Sequence, residues 1–199
     1  MAFVKGKTTF IYMVRHGESP YDGNDRTRGL TVNGQLGAQS IAELLRGEGI
    51  ETIISSPYTR SILTVEPLAK QLSQEVIVCE ELKERIFSSE EKRLPDSELF
   101  PLLEKSFLDP NLALEGGESN NDCQKRAVKV LKELLNTYEG QKVVIGTHAL
   151  VMTLMMGYYH EAYNVDFLLQ TTKPDIYKME FNRQELVGVK RLYECSKDG

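Results

Sequence analysis

The chain has 199 residues, 41% hydrophobic and 27% charged, which is enough for one sizeable core and ordinary for a soluble globular protein. Its 24 Lys and Arg against 29 Asp and Glu leave a net charge of -5, and an acidic surface repels polyanions, so nucleic acid is not expected as a partner. Cys79, Cys123 and Cys195 lack CxxC or finger-like spacing and are expected as reduced thiols, no run reaches membrane-spanning length, and residues 1–9 do not resemble a signal peptide, so a cytoplasmic protein without a membrane partner is expected.

Residues 10–14 are a short apolar run rich in β-formers that stops at Arg15-His16-Gly17. This pattern predicts a buried strand delivering a charged tip to its carboxyl end, where ligands sit in open α/β sheets. Arginine offers a planar fork of donors that matches phosphate oxygens, Gly17 permits close backbone approach, and a neutral imidazole at His16 can attack phosphorus. Taken alone the tripeptide is more often a solvated turn than a site. Residues 20–29 read as a polar loop in which Arg26 and Arg28 lie near the strand tip. Thr31 is the expected N-cap of a first helix with Leu36, Ile41, Leu44 and Leu45 on one face. Residues 52–55 form a second strand, after which Ser56 as N-cap and Pro57 at the first helical position open a second helix, with Arg60 in its first turn and Pro67 expected to kink or end it.

Residues 75–78 form a third strand whose exit loop carries Glu84 and Arg85 towards the same crevice. Residues 87–114, punctuated by Pro95, Pro101 and Pro110 around a helical piece at 97–107, are expected to form a lid-like insertion that sets substrate choice. A glycine-bearing turn at 115–119 leads into an amphipathic helix over 121–138, a fourth strand over 142–148 ends at His148, and the apolar stretch 149–156 predicts a buried helix whose methionines fill core. Segments 176–181 and 186–193 alternate as a hairpin at the sheet edge. The alternation of strands and helices predicts one α/β domain over residues 1–199, a three-layer α/β/α sandwich with a mostly parallel sheet, helices on both faces and an antiparallel edge strand.

Four separate element ends thus carry Arg15-His16, Arg60, Glu84 and His148. On these residues the chain resembles the histidine phosphatase superfamily, the group that includes cofactor-dependent phosphoglycerate mutases and broad-specificity phosphatases. The resemblance runs through Arg15-His16-Gly17-Glu18-Ser19, Leu30-Thr31, Ser55-Ser56-Pro57 with Arg60, Leu82-Lys83-Glu84-Arg85, Gly116-Gly117-Glu118-Ser119 and Thr147-His148. It departs from the family where Ala149 replaces a common Gly and Asp22 a frequent Asn, with Asn24 nearby as a substitute.

The resemblance implies metal-independent hydrolysis of a small phosphorylated metabolite through a phosphohistidine on His16. Glu84 would be the general acid, and Arg15, Arg60 and, if protonated, His148 would stabilise the phosphoryl oxygens. Gly17, Asp22, Asn24, Arg28, Arg85 and Ala149 are the expected binding residues. No cofactor is expected unless the chain is instead a phosphoglycerate mutase primed by 2,3-bisphosphoglycerate. A non-catalytic phospho-ligand-binding protein is the alternative from outside enzymes. A metal site is not expected, since His16, His148 and His160 lack ligand spacing. Monomer and homodimer remain open, the edge hairpin being a surface that could pair two copies.

Overall fold

A computed structural model describes residues 7–89 and 94–194. Cys195, residues 1–6 of the presequence expectation and residues 90–93 of the expected insertion lie outside the described residues.

Six strands form one sheet in the order β3-β2-β4-β1-β5-β6. They are β1 (Thr8–Arg15), β2 (Thr52–Ser55), β3 (Val76–Val78), β4 (Lys142–Thr147), β5 (Asp175–Asn182) and β6 (Glu185–Glu194). The pairs β3/β2, β2/β4 and β4/β1 are parallel, whereas β1/β5 and β5/β6 are antiparallel. The expected edge hairpin is therefore two antiparallel strands, turned by Arg183 and Gln184 with Arg183 in the left-handed region at φ 55°.

Strand alternation divides the core. Ile11 and Met13 of β1 and Val143 and Ile145 of β4 face one side, where they pack under helices α4 (Asn120–Thr137) and α5 (Ala149–Gly157). Tyr12 and Val14 with Val144 face the other side, under α1 (Val32–Leu45) and α2 (Thr59–Gln71). The apolar runs of β1 and β4 are continuous because both faces of each strand are buried. Helix α3 (Asp96–Leu108) and the short α6 (Val165–Gln170) complete the described helices and pack against one another at the carboxyl edge of the sheet.

Local chemistry matches the sequence expectation at several ends and overrides it at one. Thr31 caps α1 by accepting from Gly34 N–H, and Ser119 with Asp122 forms a capping box on α4. At α2 the cap is Tyr58, not Ser56, and the helix continues past Pro67 to Gln71. Proline removes one helical hydrogen bond, but Val65, Leu68 and Ala69 on either side of it are buried against the sheet, and that burial carries the helix through.

One close approach sets how the first loop leaves β1. Gly17 lies against the first turn of α1, and a Cβ on Gly34 would stand 2.0 Å from the Glu18 carbonyl oxygen. Backbone cannot yield as a side chain end can, so Gly34→Ala should lower the unfolding free energy by about 1–3 kcal/mol, the usual cost of overpacking. Urea denaturation checks this; a variant as stable as its parent would mean that loop and helix are not pressed together in solution.

Candidate active site

The chain leaves β1 towards the α1/α2 face and leaves β4 towards the α4/α5 face, so a crevice opens between the carboxyl ends of these adjacent strands. Arg15 pairs with Thr147 at the end of the ladder, and His16 N–H donates to the Thr147 carbonyl at 3.1 Å. His16 and His148 are thereby the first residues beyond two neighbouring strands, and their rings lie 5.3 Å apart, edge to face.

The partners of His16 define its tautomer. Nδ1 is 2.7 Å from the Gly17 carbonyl oxygen, which can only accept, so Nδ1 carries the proton. Nε2 faces Arg60 Nε at 3.2 Å, which can only donate, so Nε2 holds a lone pair. Burial holds the His16 pKa well below its ordinary value, and the Arg60 and Arg15 charges push it the same way. A neutral imidazole with an in-plane lone pair beside a guanidinium has the chemistry that nucleophilic attack on an anion would require.

Arg60, 2% exposed, is the second residue of α2 and the hub of the floor. It donates to the Asp25 backbone carbonyl, stands 3.3 Å from the Asp25 carboxylate and 3.4 Å from His148 Nδ1, and lies over the Tyr58 ring at 4.8 Å. Arg15 donates to the Thr171 carbonyl at 2.8 Å and hydroxyl at 2.5 Å, while its buried Nε has no hydrogen-bond partner. Burial draws the Arg15 pKa down to about 10, which leaves it charged at neutral pH.

Glu84 lies across the crevice, with Oε2 3.9 Å from His148 Nδ1. Burial raises its pKa, only partly opposed by the Arg85 N–H that donates to Oε1 at 2.8 Å. A raised pKa moves a carboxyl group towards the range in which a general acid works. Three ties fix the segment that carries it: Thr147 Oγ1 donates to the Leu82 carbonyl at 3.0 Å, and Arg126 of α4 donates to the carbonyls of Glu81 at 2.6 Å and Lys83 at 3.0 Å.

His148 is fully buried behind Arg60 rather than on the wall of the open cavity. Its Nε2 is 2.8 Å from Ser56 Oγ and its ring packs 4.9 Å from that of Tyr58. In the unliganded site burial, then the Arg60 charge, holds His148 well below its ordinary pKa and therefore neutral.

The cavity above this floor has a volume of about 540 Å3. Arg15, His16, Arg28, Arg60, Glu84, Arg85 and Ala149 border it. Gly17, Asp22 and Asn24 do not, contrary to expectation. Gly17 N–H is taken by Thr64 Oγ1 at 2.9 Å and its close approach is to α1. Asn24 Oδ1 instead accepts from the N–H groups of Arg26 and Thr27, capping its own loop, and Asp22 is exposed outside the wall. Arg85 reaches the wall, but its guanidinium is committed to the Glu118 carbonyl, the Asn120 side chain and the Leu112 carbonyl, which makes it a structural clamp rather than a phosphate donor. Ala149 sits at the first position of α5 without positive φ, so alanine is unstrained there.

Asp25, Tyr58, Arg126 and Thr171 contribute without having been singled out, and Ser56, expected as a helix cap, bonds His148 instead. Asp25 and Tyr58 lay beside recognised motifs, whereas Arg126 in an amphipathic helix and Thr171 in a distant loop carried no sequence signal. Among the described residues, no three His, Cys, Asp or Glu side chains cluster as a metal site, and no helix is long and apolar enough to cross a membrane.

The sequence profile of the histidine phosphatase superfamily (branch 1) matches residues 11–191. A probable phosphoglycerate mutase, GpmB, of Serratia proteamaculans is 31% identical over 152 residues, covering 71% of this chain and 70% of its own. Among solved structures, the mycobacterial glucosyl-3-phosphoglycerate phosphatase superposes with a TM-score of 0.76 at 18% identity, over 96% of this chain and 100% of its own. The Entamoeba histolytica phosphoserine phosphatase in complex with 3-phosphoglyceric acid superposes with a TM-score of 0.74 at 21% identity, over 96% of this chain and 98% of its own.

Both buried histidines stay neutral in the folded protein while their unfolded counterparts protonate near pH 6.5. The unfolded state therefore binds more protons below that pH, and the stability held in full above about pH 6.5 is lost as pH falls, by up to ~1.4 kcal/mol per pH unit for each histidine. Glu84, with its raised pKa, works in the opposite sense. His148→Gln should lose less unfolding free energy than the parent between pH 7 and 5.5, by about 1 kcal/mol. Parallel pH profiles from urea titrations would show that His148 is not held neutral.

Proposed function

The chain belongs to the histidine phosphatase superfamily, and we propose that within it this protein is a metal-independent phosphatase that hydrolyses phosphomonoesters through a phosphohistidine on His16 Nε2. The observation that carries this reading is the Nδ1 bond to the Gly17 carbonyl, which leaves the Nε2 lone pair as the reactive position, turned towards Arg60 at the cavity floor.

In the unliganded site Arg60 Nε donates into that lone pair. A phosphoryl group has to displace this contact, and its oxygens are the stronger acceptors for the same guanidinium. The His16 Nε2 lone pair then forms a bond to phosphorus as the ester P–O bond breaks. The departing oxygen takes the proton from the Glu84 carboxyl group. The alcohol leaves, and Glu84, now a carboxylate, accepts a proton from water as the water oxygen bonds to phosphorus. The P–N bond breaks, its electron pair returns to Nε2, and inorganic phosphate departs. Arg15, with its unpartnered Nε, and Arg60 hold the equatorial oxygens. His148, held neutral by burial and by the Arg60 charge, accepts from Arg60 at 3.4 Å behind these two cations.

The relative named a probable phosphoglycerate mutase favours a second reading, in which the phosphoryl group returns to phosphoglycerate instead of passing to water. Both solved neighbours described above are phosphatases by name, which supports hydrolysis. Incubation with 3-phosphoglycerate, with and without 2,3-bisphosphoglycerate, separates the two: the phosphatase releases phosphate without priming, whereas the mutase forms 2-phosphoglycerate only when primed.

With p-nitrophenyl phosphate and a metal chelator present, His16→Ala should lose essentially all phosphate release and all acid-labile protein labelling. Glu84→Gln should reduce turnover of alkyl phosphates by roughly 10²- to 10⁴-fold, the range for a lost general acid. The first-turnover release of p-nitrophenol should slow far less, since that leaving group needs no proton, whereas the later loss of phosphate from His16 still needs Glu84 as base. An equal loss of the phosphorylation step on both substrates would remove Glu84 from the role of proton donor. Undiminished labelling of His16→Ala would remove His16 as nucleophile.

A further inference from the structure

The cavity is much deeper than a phosphoryl group needs. At about 540 Å3 it falls among sites that enclose whole organic ligands, commonly about 300–1,000 Å3. Arg15, Arg60 and Glu84 stand with His16 at its floor. Above them the wall changes character: Phe87, then Leu99, Phe100 and Leu103 of α3, and Leu168 and Leu169 of α6 face the same space. Phe100 is 45% exposed and Leu169 47% exposed, a poor use of large apolar side chains unless something covers them.

The cations higher on the wall are engaged. Arg26 makes a two-pronged pair with Glu80 at 2.7 and 3.0 Å, and Lys83 reaches the same carboxylate at 3.4 Å. Arg28 is bound to Asp25 at 2.8 Å, and Lys173 lies 5.4 Å from the centre of the Tyr21 ring. A carboxylate on the leaving group would have to compete with Glu80 for Arg26 and Lys83, and would meet Asp96 on the wall. An apolar leaving group meets no such competition.

Resting on the phosphatase reading above, we infer that the preferred substrates are phosphomonoesters whose alcohol carries an apolar alkyl or aryl body, seated between α3 and α6. Compact anionic esters such as 3-phosphoglycerate and phosphoserine are poor substrates. The cationic floor holds the phosphoryl group, and the apolar wall supplies binding that grows with the size of the alcohol.

The test is a series of ethyl, butyl and hexyl phosphate, whose leaving alcohols have nearly equal acidity, so that differences report binding. Each methylene taken from water onto an apolar wall is worth roughly a fourfold gain, so kcat/KM should rise by about two orders of magnitude from ethyl to hexyl. Hexyl phosphate should also exceed 3-phosphoglycerate. Phe100→Ser and Leu169→Ser, at exposed positions where the fold tolerates them, should each compress the hexyl-to-ethyl ratio several-fold. A flat series, or 3-phosphoglycerate as the better substrate, with phosphate release still dependent on His16, overturns this inference and leaves the phosphatase reading standing. If no ester is turned over, calorimetric titration with ethyl- and hexylphosphonate decides separately. Tighter hexyl binding that weakens in Phe100→Ser supports the apolar chamber while the phosphatase reading fails, and equal affinities overturn it.

Discussion

The parallel pairing of β1 with β4 in the middle of the sheet underlies every contact at the cavity floor. With Arg15 opposite Thr147 and the His16 N–H on the Thr147 carbonyl at 3.1 Å, the first residue past each strand is a histidine, and the two rings have no room to lie more than one side chain apart. Because the two strands leave towards opposite faces, no connection roofs the gap between them. A register slip of one residue would turn both rings into the helix layers and bring core side chains to the crevice. The site is thus as rigid as the centre of the sheet, where Val14 and Ile145 have no exposure at all.

A second layer of interactions determines what those two histidines are. Arg60 is almost wholly buried, and its charge is answered by Asp25 at 3.3 Å rather than by water. That buried cation, together with desolvation, keeps both imidazoles neutral. The same desolvation acts on Glu84 in the opposite chemical sense, since burial disfavours whichever form is charged: it lowers the pKa of the histidines and raises that of the carboxyl group. One physical cause therefore acts on a free imidazole lone pair and on a carboxyl group at the same floor. The cost of holding Arg60 in this place is met by packing on Tyr58 and by hydrogen bonds to the loop that carries Asp25, which ties the polar loop after β1 to the start of α2.

Glu84 is placed by neither sheet nor helix but by clamps. Arg126 grips the carbonyls of Glu81 and Lys83, Thr147 Oγ1 that of Leu82, and Arg85 the Glu118 carbonyl and the Asn120 side chain. The segment can then be irregular and yet hold a carboxyl group within reach of His148. Helices α3 and α6 join the core face of α4 and α5 through Leu103 and Leu168, while Phe100 and Leu169 turn to the cavity.

The apolar runs of β1 and β4, the Thr31 cap and the charged strand tips were legible in the sequence because they depend on local periodicity and on residue chemistry within a few positions. Arg15, His16, Arg60 and Glu84 could be recognised as a set, since few other arrangements put such groups at four element ends. Partners that meet only across the fold were not legible. Gly17 was expected beside a ligand and is pressed against Gly34 instead, Asn24 closes its own loop, and Arg85 braces a backbone. Likewise, nothing along the chain marks Thr171 as the acceptor for Arg15, or Arg126 as the clamp on the Glu84 segment. The sequence by itself determined the strand and helix types and the chemistry available at the strand ends, through patterns a few residues long. Only the tertiary structure decided which nitrogen of His16 is free, that His148 is neutral, and that α3 and α6 turn apolar side chains to the cavity, because each of these depends on burial and on neighbours dozens of residues away in the chain.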